Sequence, residues 1–468
     1  MKNTANIYLA VDIGASSGRH ILGYLENGTI KTEEIYRFSN QGVQKNGHLC
    51  WDTEYLFGEI LNGLKECRRL GKIPVAMGID TWAIDFVLID KKGKCLTDCV
   101  CYRDKRTEGM DTAVSALISD EELYRRTGIQ KQPFNTVYQL MALKKETPEV
   151  FQRADCFLMV PDYFHFLLTG KRSNEYTNAS TTELLNVESG LWDKELLQKL
   201  EIPAGLFLEP SMPGTELGVF TAEVEREVGF SCRVVLPATH DTGSAVLAAP
   251  SEDGDFLFLS SGTWSLLGAE RRQPECSEAS RKANFTNEGG YEKRYRYLKN
   301  IMGLWMVQSV RRELKEAFSF GELSRMAEEA SSFPSRVDVN DNMFLAPDSM
   351  TKAVQEYCRK TGQRIPETAG ELVSCIDQSL AESYRESVRE IERITGRNYS
   401  RLHIVGGGSQ DRFLNGCTAR ETGKEIWIGP TEATAIGNLL AQMLRDGVFS
   451  SVEEARGVVK TSFSVKKL

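Results

Sequence analysis

The sequence predicts an α/β protein built as two related halves. Three observations point there. A short apolar strand at 7–13 runs into a turn of acidic and small residues, Asp12-Ile13-Gly14-Ala15-Ser16-Ser17-Gly18-Arg19. Strand-like and helix-like periodicities then alternate along the chain. The order strand, turn, strand, strand, helix returns from Phe256 onward.

In the first half a second strand over 19–25 is followed by Asn27-Gly28, a hairpin signal, and by alternation over 30–38. Tyr55, Leu56, Ile60, Leu61, Leu64 and Cys67 recur at helical spacing and predict a helix over 52–70. Residues 75–79 and 84–89 read as strands, and Lys92-Gly93 closes that hairpin. Residues 120–235 mix helical stretches with a polar run, 174–182, expected to be an ordered loop. A strand over 233–239 then hands over to a helix at His240-Asp241-Thr242. In the second half 256–261, 264–269 and 295–301 read as strands and about 303–317 as a helix. A strand at 401–405 opens into Gly406-Gly407-Gly408. A helix from Asp411, a strand at 425–428 and a helix from Glu432 complete the pattern. The boundary falls near 245–255, where Pro250-Ser251-Glu252-Asp253-Gly254-Asp255 has linker composition.

The chain has 468 residues, 41% hydrophobic and 26% charged, with a net charge of -8. That balance suits a globular protein with large cores and excludes disorder. No apolar run approaches the ~18 residues of a membrane span. The N-terminal apolar stretch, broken by Asp12, is too short and polar for a signal peptide, so a cytoplasmic location is expected. An acidic balance disfavours nucleic-acid binding. The 11 cysteines are expected to be reduced thiols. Cys95, Cys99 and Cys101 lack the second pair a zinc site needs. Cys358 and Cys375 are spaced to face each other across a loop without forming a structural disulfide.

Neither a P-loop nor a complete G-x-G-x-x-G motif occurs. Two phosphate-sized turns remain, one per half: Gly14 to Gly18 and Ser260-Ser261-Gly262-Thr263. Their small residues let backbone N–H groups approach an anion. Asp12, at a strand end, is placed to hold a magnesium shell through water. Gly406 to Gly408 permits close approach of a flat ligand. Asp241, where a strand meets a helix, suits a base in phosphoryl transfer. It also suits a helix cap, and the helix dipole is expected to keep it a weak base. His240 can donate to a substrate oxygen.

The run 10–19 resembles the start of the FGGY family of carbohydrate kinases. The resemblance extends over nearly the whole chain. It is carried by Gly78 to Val87, Tyr102 to Arg106, Pro133 to Thr136, Val160 to Tyr163, Glu175 to Ala179, Thr239 to Thr242, Leu259 to Ser265, Asn287 to Gly290, Leu298 to Trp305 and His403 to Gly408.

That resemblance implies two ribonuclease-H-like, actin-like lobes around a central cleft. Residues 1–248 would form a sugar- and phosphate-binding lobe and 249–468 a nucleotide-binding lobe. It implies an enzyme using ATP and Mg2+ to phosphorylate a ketose, L-rhamnulose, at its C1 hydroxyl, with no nucleic-acid or membrane partner. Ala15, Ser16, Ser17, Gly18, Arg19 and Thr263 are implied phosphate contacts, and Gln308 and Gly407 nucleotide contacts. Ala83, His240, Asp241, Thr242 and Asn300 are implied sugar contacts, with Asp241 the catalytic base. Related chains usually carry Gly where this one has Ala83, whose methyl group is expected to narrow the sugar site. The alternatives are a kinase for L-fuculose, D-xylulose or glycerol, and an actin-like sensor that binds ATP and sugar without turnover.

Overall fold

A computed structural model describes residues 6–251, 254 and 256–468. Of the expected linker, Glu252, Asp253 and Asp255 lie outside the described residues. The chain forms two compact units. The first takes Met1–Ala248, Arg271–Tyr297 and Thr434–Ser462, and the second takes Ala249–Glu270, Leu298–Ala433 and Phe463–Leu468.

The first unit is organised by a six-stranded sheet. Its strands are β1 (Tyr8–Ile13), β2 (Ser17–Glu26), β3 (Thr29–Ser39), β4 (Ala76–Thr81), β5 (Glu216–Val219) and β6 (Arg233–Val235), in the spatial order β5-β6-β4-β1-β2-β3. β1 and β2 are antiparallel, while β4 runs parallel to β1. Every residue of β1 is buried, because a central strand is covered on both faces and reads as a continuous apolar run. Helix α1 (Thr53–Leu70) presents Leu56, Ile60, Leu61, Leu64 and Cys67 to the core that contains Leu9, Val11, Ile13, Met77 and Ile79. Asp52 caps its start, accepting from the Tyr55 N–H at 3.0 Å, and Gly71 ends it in the left-handed region. Tyr55, expected on the buried stripe, is 41% exposed, and its hydroxyl donates to the Ser39 carbonyl.

Two expected strands are shorter than the sequence suggests. The strand expected at 233–239 stops at Val235, since Pro237 has no N–H for a ladder. The one expected from residue 84 begins at Phe86, because Ile84 has φ +68°. The polar run 174–182 folds into a short strand, a helical turn and a 3₁₀ turn, all buried. After Val235 the chain crosses to α2 (Asp241–Leu247).

The second unit repeats the plan. Hairpin β7 (Leu257–Ser261) and β8 (Trp264–Arg271) is antiparallel, and β9 (Arg401–Val405) runs parallel to β7, as β4 does to β1. β10 (Glu425–Ile428) lies parallel to β9. Helix α3 (Trp305–Glu313) ends earlier than 317, where Lys315 and Glu316 take positive φ. The long helix α4 (Ala369–Thr395) starts with a Thr368–Glu371 capping box. Helix α5 (Ala433–Arg445) returns the chain to the first unit.

All eleven cysteines are free thiols. Among the described residues no three His, Cys, Asp or Glu side chains form a metal cage, and no helix is long and apolar enough to cross a membrane.

Candidate active site

Strand register places a row of charges across the first unit's sheet. Asp12 on β1 is the partner of Asp80 on β4 and of Arg19 on β2. Arg19 reaches one oxygen of Asp12 with Nε at 3.0 Å and Nη2 at 2.8 Å. Asp80 is fully buried. Its Oδ2 accepts from Asn438 Nδ2 at 2.6 Å, while its Oδ1 has no partner. Burial, and then the charge of Asp12, push the Asp80 carboxyl well up.

The turn that follows β1 is tied down. The Gly14 N–H donates to the Ser17 carbonyl at 2.9 Å, the Asn40 N–H to the Ser16 carbonyl at 3.0 Å, and Asn40 Nδ2 to the Gly14 carbonyl at 2.8 Å. Ala15 and Ser16 form its tip, with Ser16 exposed, and Ser17, Gly18 and Arg19 open β2.

The segment Thr239 to Thr242 is held by a buried carboxylate, Glu175. It accepts the N–H and hydroxyl of Thr177 (2.9 and 2.6 Å), the Asn178 N–H (3.2 Å), and the N–H and hydroxyl of Thr239 (3.1 and 2.6 Å). That role explains why the polar run at 174–182 is buried. The Thr81 N–H adds a bond to the Thr239 carbonyl at 2.9 Å.

His240 occupies the N-cap position of α2 and Asp241 the first helical residue. The Asp241 Oδ1 accepts from the Thr242 N–H at 2.5 Å and the Thr242 hydroxyl at 3.0 Å, and His240 Nε2 lies 3.5 Å away. The expectation of a weak base is corrected here. Burial raises the Asp241 pKa, with the charge of Asp12 acting the same way, against His240 and Thr242. The Asp241 side chain still keeps 33% exposure, the surface by which a hydroxyl can reach it.

The back of this helix is packed by α5. Asn438 Nδ2 also donates to the Gly78 carbonyl at 3.1 Å, and Gln442 Nε2 donates to Asn438 Oδ1 at 2.8 Å and to the Leu9 carbonyl at 2.9 Å. A Cβ on Gly437 would stand 1.8 Å from the Ser244 carbonyl oxygen, so only glycine lets α5 lie this close to α2.

Ala83 precedes a strained residue. The Asp85 N–H donates to the Ala83 carbonyl at 2.9 Å across Ile84, closing a three-residue γ-turn with Ile84 at φ +68°. A β-branched residue in that region is strained and is held by its surroundings. Here Thr136 donates to the Ile84 carbonyl at 2.7 Å. Asp85 accepts from both Trp51 Nε1 (2.7 Å) and Trp82 Nε1 (2.9 Å), with its pKa pushed by burial up to about 6.

Within the second unit, Thr263 lies in the turn between β7 and β8. That turn meets the start of α3, since the Leu304 N–H donates to the Gly262 carbonyl at 2.9 Å and the Trp305 N–H to the Thr263 carbonyl at 3.2 Å. Gln308 is one turn further along α3. Gly407 is exposed, and a Cβ on its neighbour Gly408 would stand 1.9 Å from Ser261 Oγ, so the third glycine turn packs onto the end of β7. Thr263, Gln308 and Gly407 thus sit on three connected elements. Asn300 lies on the strand Tyr295–Met302 in this unit, and its Oδ1 is buried without a partner.

Asp12, the turn 15–19, Ala83, His240, Asp241 and Thr242 are therefore in the first unit, and Thr263, Asn300, Gln308 and Gly407 in the second. Sequence reasoning singled out neither Glu175 nor Asn438. Glu175 lay inside a motif already noted, but nothing in the sequence marks Asn438.

Comparison with known proteins finds relatives along nearly the whole chain. The N-terminal domain profile of the FGGY family of carbohydrate kinases matches residues 7–248 and the C-terminal domain profile residues 257–445. The chain is 51% identical to a rhamnulokinase of Halalkalibacterium halodurans, covering 99% of this chain and 98% of that one. It is 43% identical to a rhamnulokinase of Bacillus subtilis, covering 98% and 94%. Among solved structures, a gluconate kinase from Lactobacillus acidophilus superposes with a TM-score of 0.80 at 17% identity, covering 99% of this chain and 93% of that one. A xylulose kinase from the same organism gives 0.79 at 16%, with the same coverage. These distant structures establish the fold, and the nearer sequences establish the lineage: the chain belongs to the FGGY family of carbohydrate kinases.

Proposed function

We propose that this protein transfers the γ-phosphate of ATP to the C1 hydroxyl of L-rhamnulose, giving L-rhamnulose 1-phosphate, in L-rhamnose breakdown in the cytoplasm. The observation that carries the chemistry is Asp241, a carboxylate with a raised pKa, fixed at a helix start and still open on one side. The substrate rests on full-length similarity to proteins named rhamnulokinase.

Asp241 accepts the proton of the attacking hydroxyl as its bond to phosphorus forms. Thr242 fixes the carboxylate by two hydrogen bonds, and His240 donates to a sugar oxygen. The Ala83 carbonyl, locked by the Ile84 turn, and Asn300 contribute further sugar contacts. Ala15 to Arg19 and Thr263 contact the phosphates of ATP. Gln308 and Gly407 contact the rest of the nucleotide. On this reading most sugar and phosphate contacts come from residues 1–248, and residues 249–468 supply the nucleotide contacts together with Thr263 and Asn300.

The residues at Asp12 fit a hydrated magnesium ion. Asp12 offers hard carboxylate oxygens, one tied to Arg19 and the other not. Such an ion neutralises charge on the transferred phosphoryl group when bound.

Release of ADP, measured across a panel of ketoses and polyols, tests the assignment. L-rhamnulose should give the highest kcat/KM, at least about tenfold above L-fuculose and D-xylulose, because a mismatched hydroxyl leaves buried polar groups unpaired. A tenfold preference for another ketose overturns the substrate but not the family. Ala83→Gly repeats the panel with the methyl group removed and should widen tolerance of the other ketoses.

A further inference from the structure

His240 has neighbours that this reaction does not use. Its Nδ1 lies 3.0 Å from Arg296 Nη2 and 3.3 Å from Glu288 Oε2. Arg296 Nη1 is 3.0 Å from the same Glu288 oxygen, and Arg296 Nε donates to the Gly289 carbonyl at 2.9 Å. The Arg296 and Glu288 side chains are 1% and 6% exposed. Burial alone would lift the Glu288 carboxyl, but the charge of Arg296 and the contact with His240 pull it below its ordinary value. The two residues form a buried, mutually neutralising ion pair against one edge of the imidazole.

This arrangement decides where the imidazole proton sits. A guanidinium has only donors and keeps its charge. The ring nitrogen at hydrogen-bond distance from it must supply a lone pair. Nδ1 is that nitrogen, so the neutral ring carries its proton on Nε2. Glu288 alone would demand the opposite, an Nδ1–H donating to its carboxylate. Arg296 is closer to Nδ1, and it also takes up the Glu288 charge. On the other edge Nε2 is 3.5 Å from Asp241 Oδ1, too long for a good hydrogen bond, which leaves this N–H available to a ligand.

We propose that Arg296 and Glu288 are positioning residues that fix His240 as its Nε2–H tautomer, so that a proton donor faces the sugar beside Asp241. The proposal rests on the reading of Asp241 as the base. With Nε2 protonated, His240 donates to a sugar oxygen and Asp241 is the sole acceptor for the reacting proton. The other tautomer would set a second lone pair beside the carboxylate.

The test is the imidazole nitrogen spectrum of ¹⁵N-labelled protein without substrate at neutral pH. The sequence has 5 histidines, and His240 is assigned by the signals lost in His240→Gln. Nε2 should be the proton-bearing nitrogen and Nδ1 the bare one. Arg296→Met leaves Glu288 alone against Nδ1, so the ring should switch to Nδ1–H. Its kcat should fall about 10- to 100-fold with the KM for ATP unchanged. Glu288→Gln keeps Arg296 in place and should keep the Nε2–H form, which preserves the test if Arg296→Met does not fold. A wild-type ring bearing its proton on Nδ1, or on both nitrogens, overturns the proposal. So does a folded Arg296→Met with an unchanged tautomer, or a folded Glu288→Gln that switches. The spectrum is read without turnover. An active Asp241→Asn would therefore sink the base while leaving the tautomer standing, and a wrong tautomer would leave the base untouched.

Discussion

Asp241 illustrates how surroundings override position in the sequence. A carboxylate at a helix start is stabilised as the anion, yet crowding by the protein, with Asp12 adding negative charge, pushes its pKa up. A base must be deprotonated to act, so kcat/KM should fall as pH drops through a pKa above the ordinary aspartate range. A pH–rate profile checks this, and an acid limb at the ordinary aspartate value would contradict it. Glu183 gives a second test, away from the chemistry. It is 2% exposed, accepts from Asn135 Nδ2 at 2.9 Å, and is pushed by burial up to about 8 from 4.5. Its folded pKa exceeds its unfolded one, so its contribution to stability is whole below pH 4.5 and disappears as pH rises through 8. Glu183→Gln keeps the acceptor for Asn135 and removes the titration. The variant should match the wild type near pH 4.5 and exceed it above pH 8 by of order 5 kcal/mol. Denaturant melts at both pH values decide it, and equal stability above pH 8 would refute it.

At the scale of elements, α1, β1 to β3 and the hairpin turns were readable because their signals are local: apolar periodicity, Asn27-Gly28, and a cap at Asp52. Of the two shortened strands, the one ended by Pro237 has a local cause, whereas the positive φ of Ile84 is not legible locally, since its carbonyl is held by the hydroxyl of Thr136, 52 residues away. The same holds for the packing of α5 on α2. Gly437→Ala would drive a methyl into the Ser244 carbonyl, so one of the two helices must shift. Overpacking of this kind costs roughly 1–3 kcal/mol. Because Ser244 lies three residues beyond Asp241, kcat should fall along with the melting temperature. An unchanged melting temperature and kcat would show that α5 does not support α2.

For the whole molecule, the two-half plan is written in the sequence as a repeated order of elements, and most of the proposed contacts lie on motifs at strand ends. Asn438 could not be found that way. It stands 358 residues from Asp80, and no local pattern encodes so distant a partner. The first unit depends on such returns, since Arg271–Tyr297 and Thr434–Ser462 belong to it. A fragment ending at Ala248 would leave Asp80 without Asn438, the Leu9 carbonyl without Gln442, and Val246 and Leu247 without Arg456. It should show no cooperative thermal transition, and a sharp one would contradict this. The most direct test of the central claim is the rate of ADP release with L-rhamnulose by Asp241→Asn, alongside its affinity for ATP. The account predicts turnover reduced about 10²- to 10⁴-fold with ATP binding retained. A variant that keeps more than about a tenth of the wild-type rate would show that Asp241 is not the base.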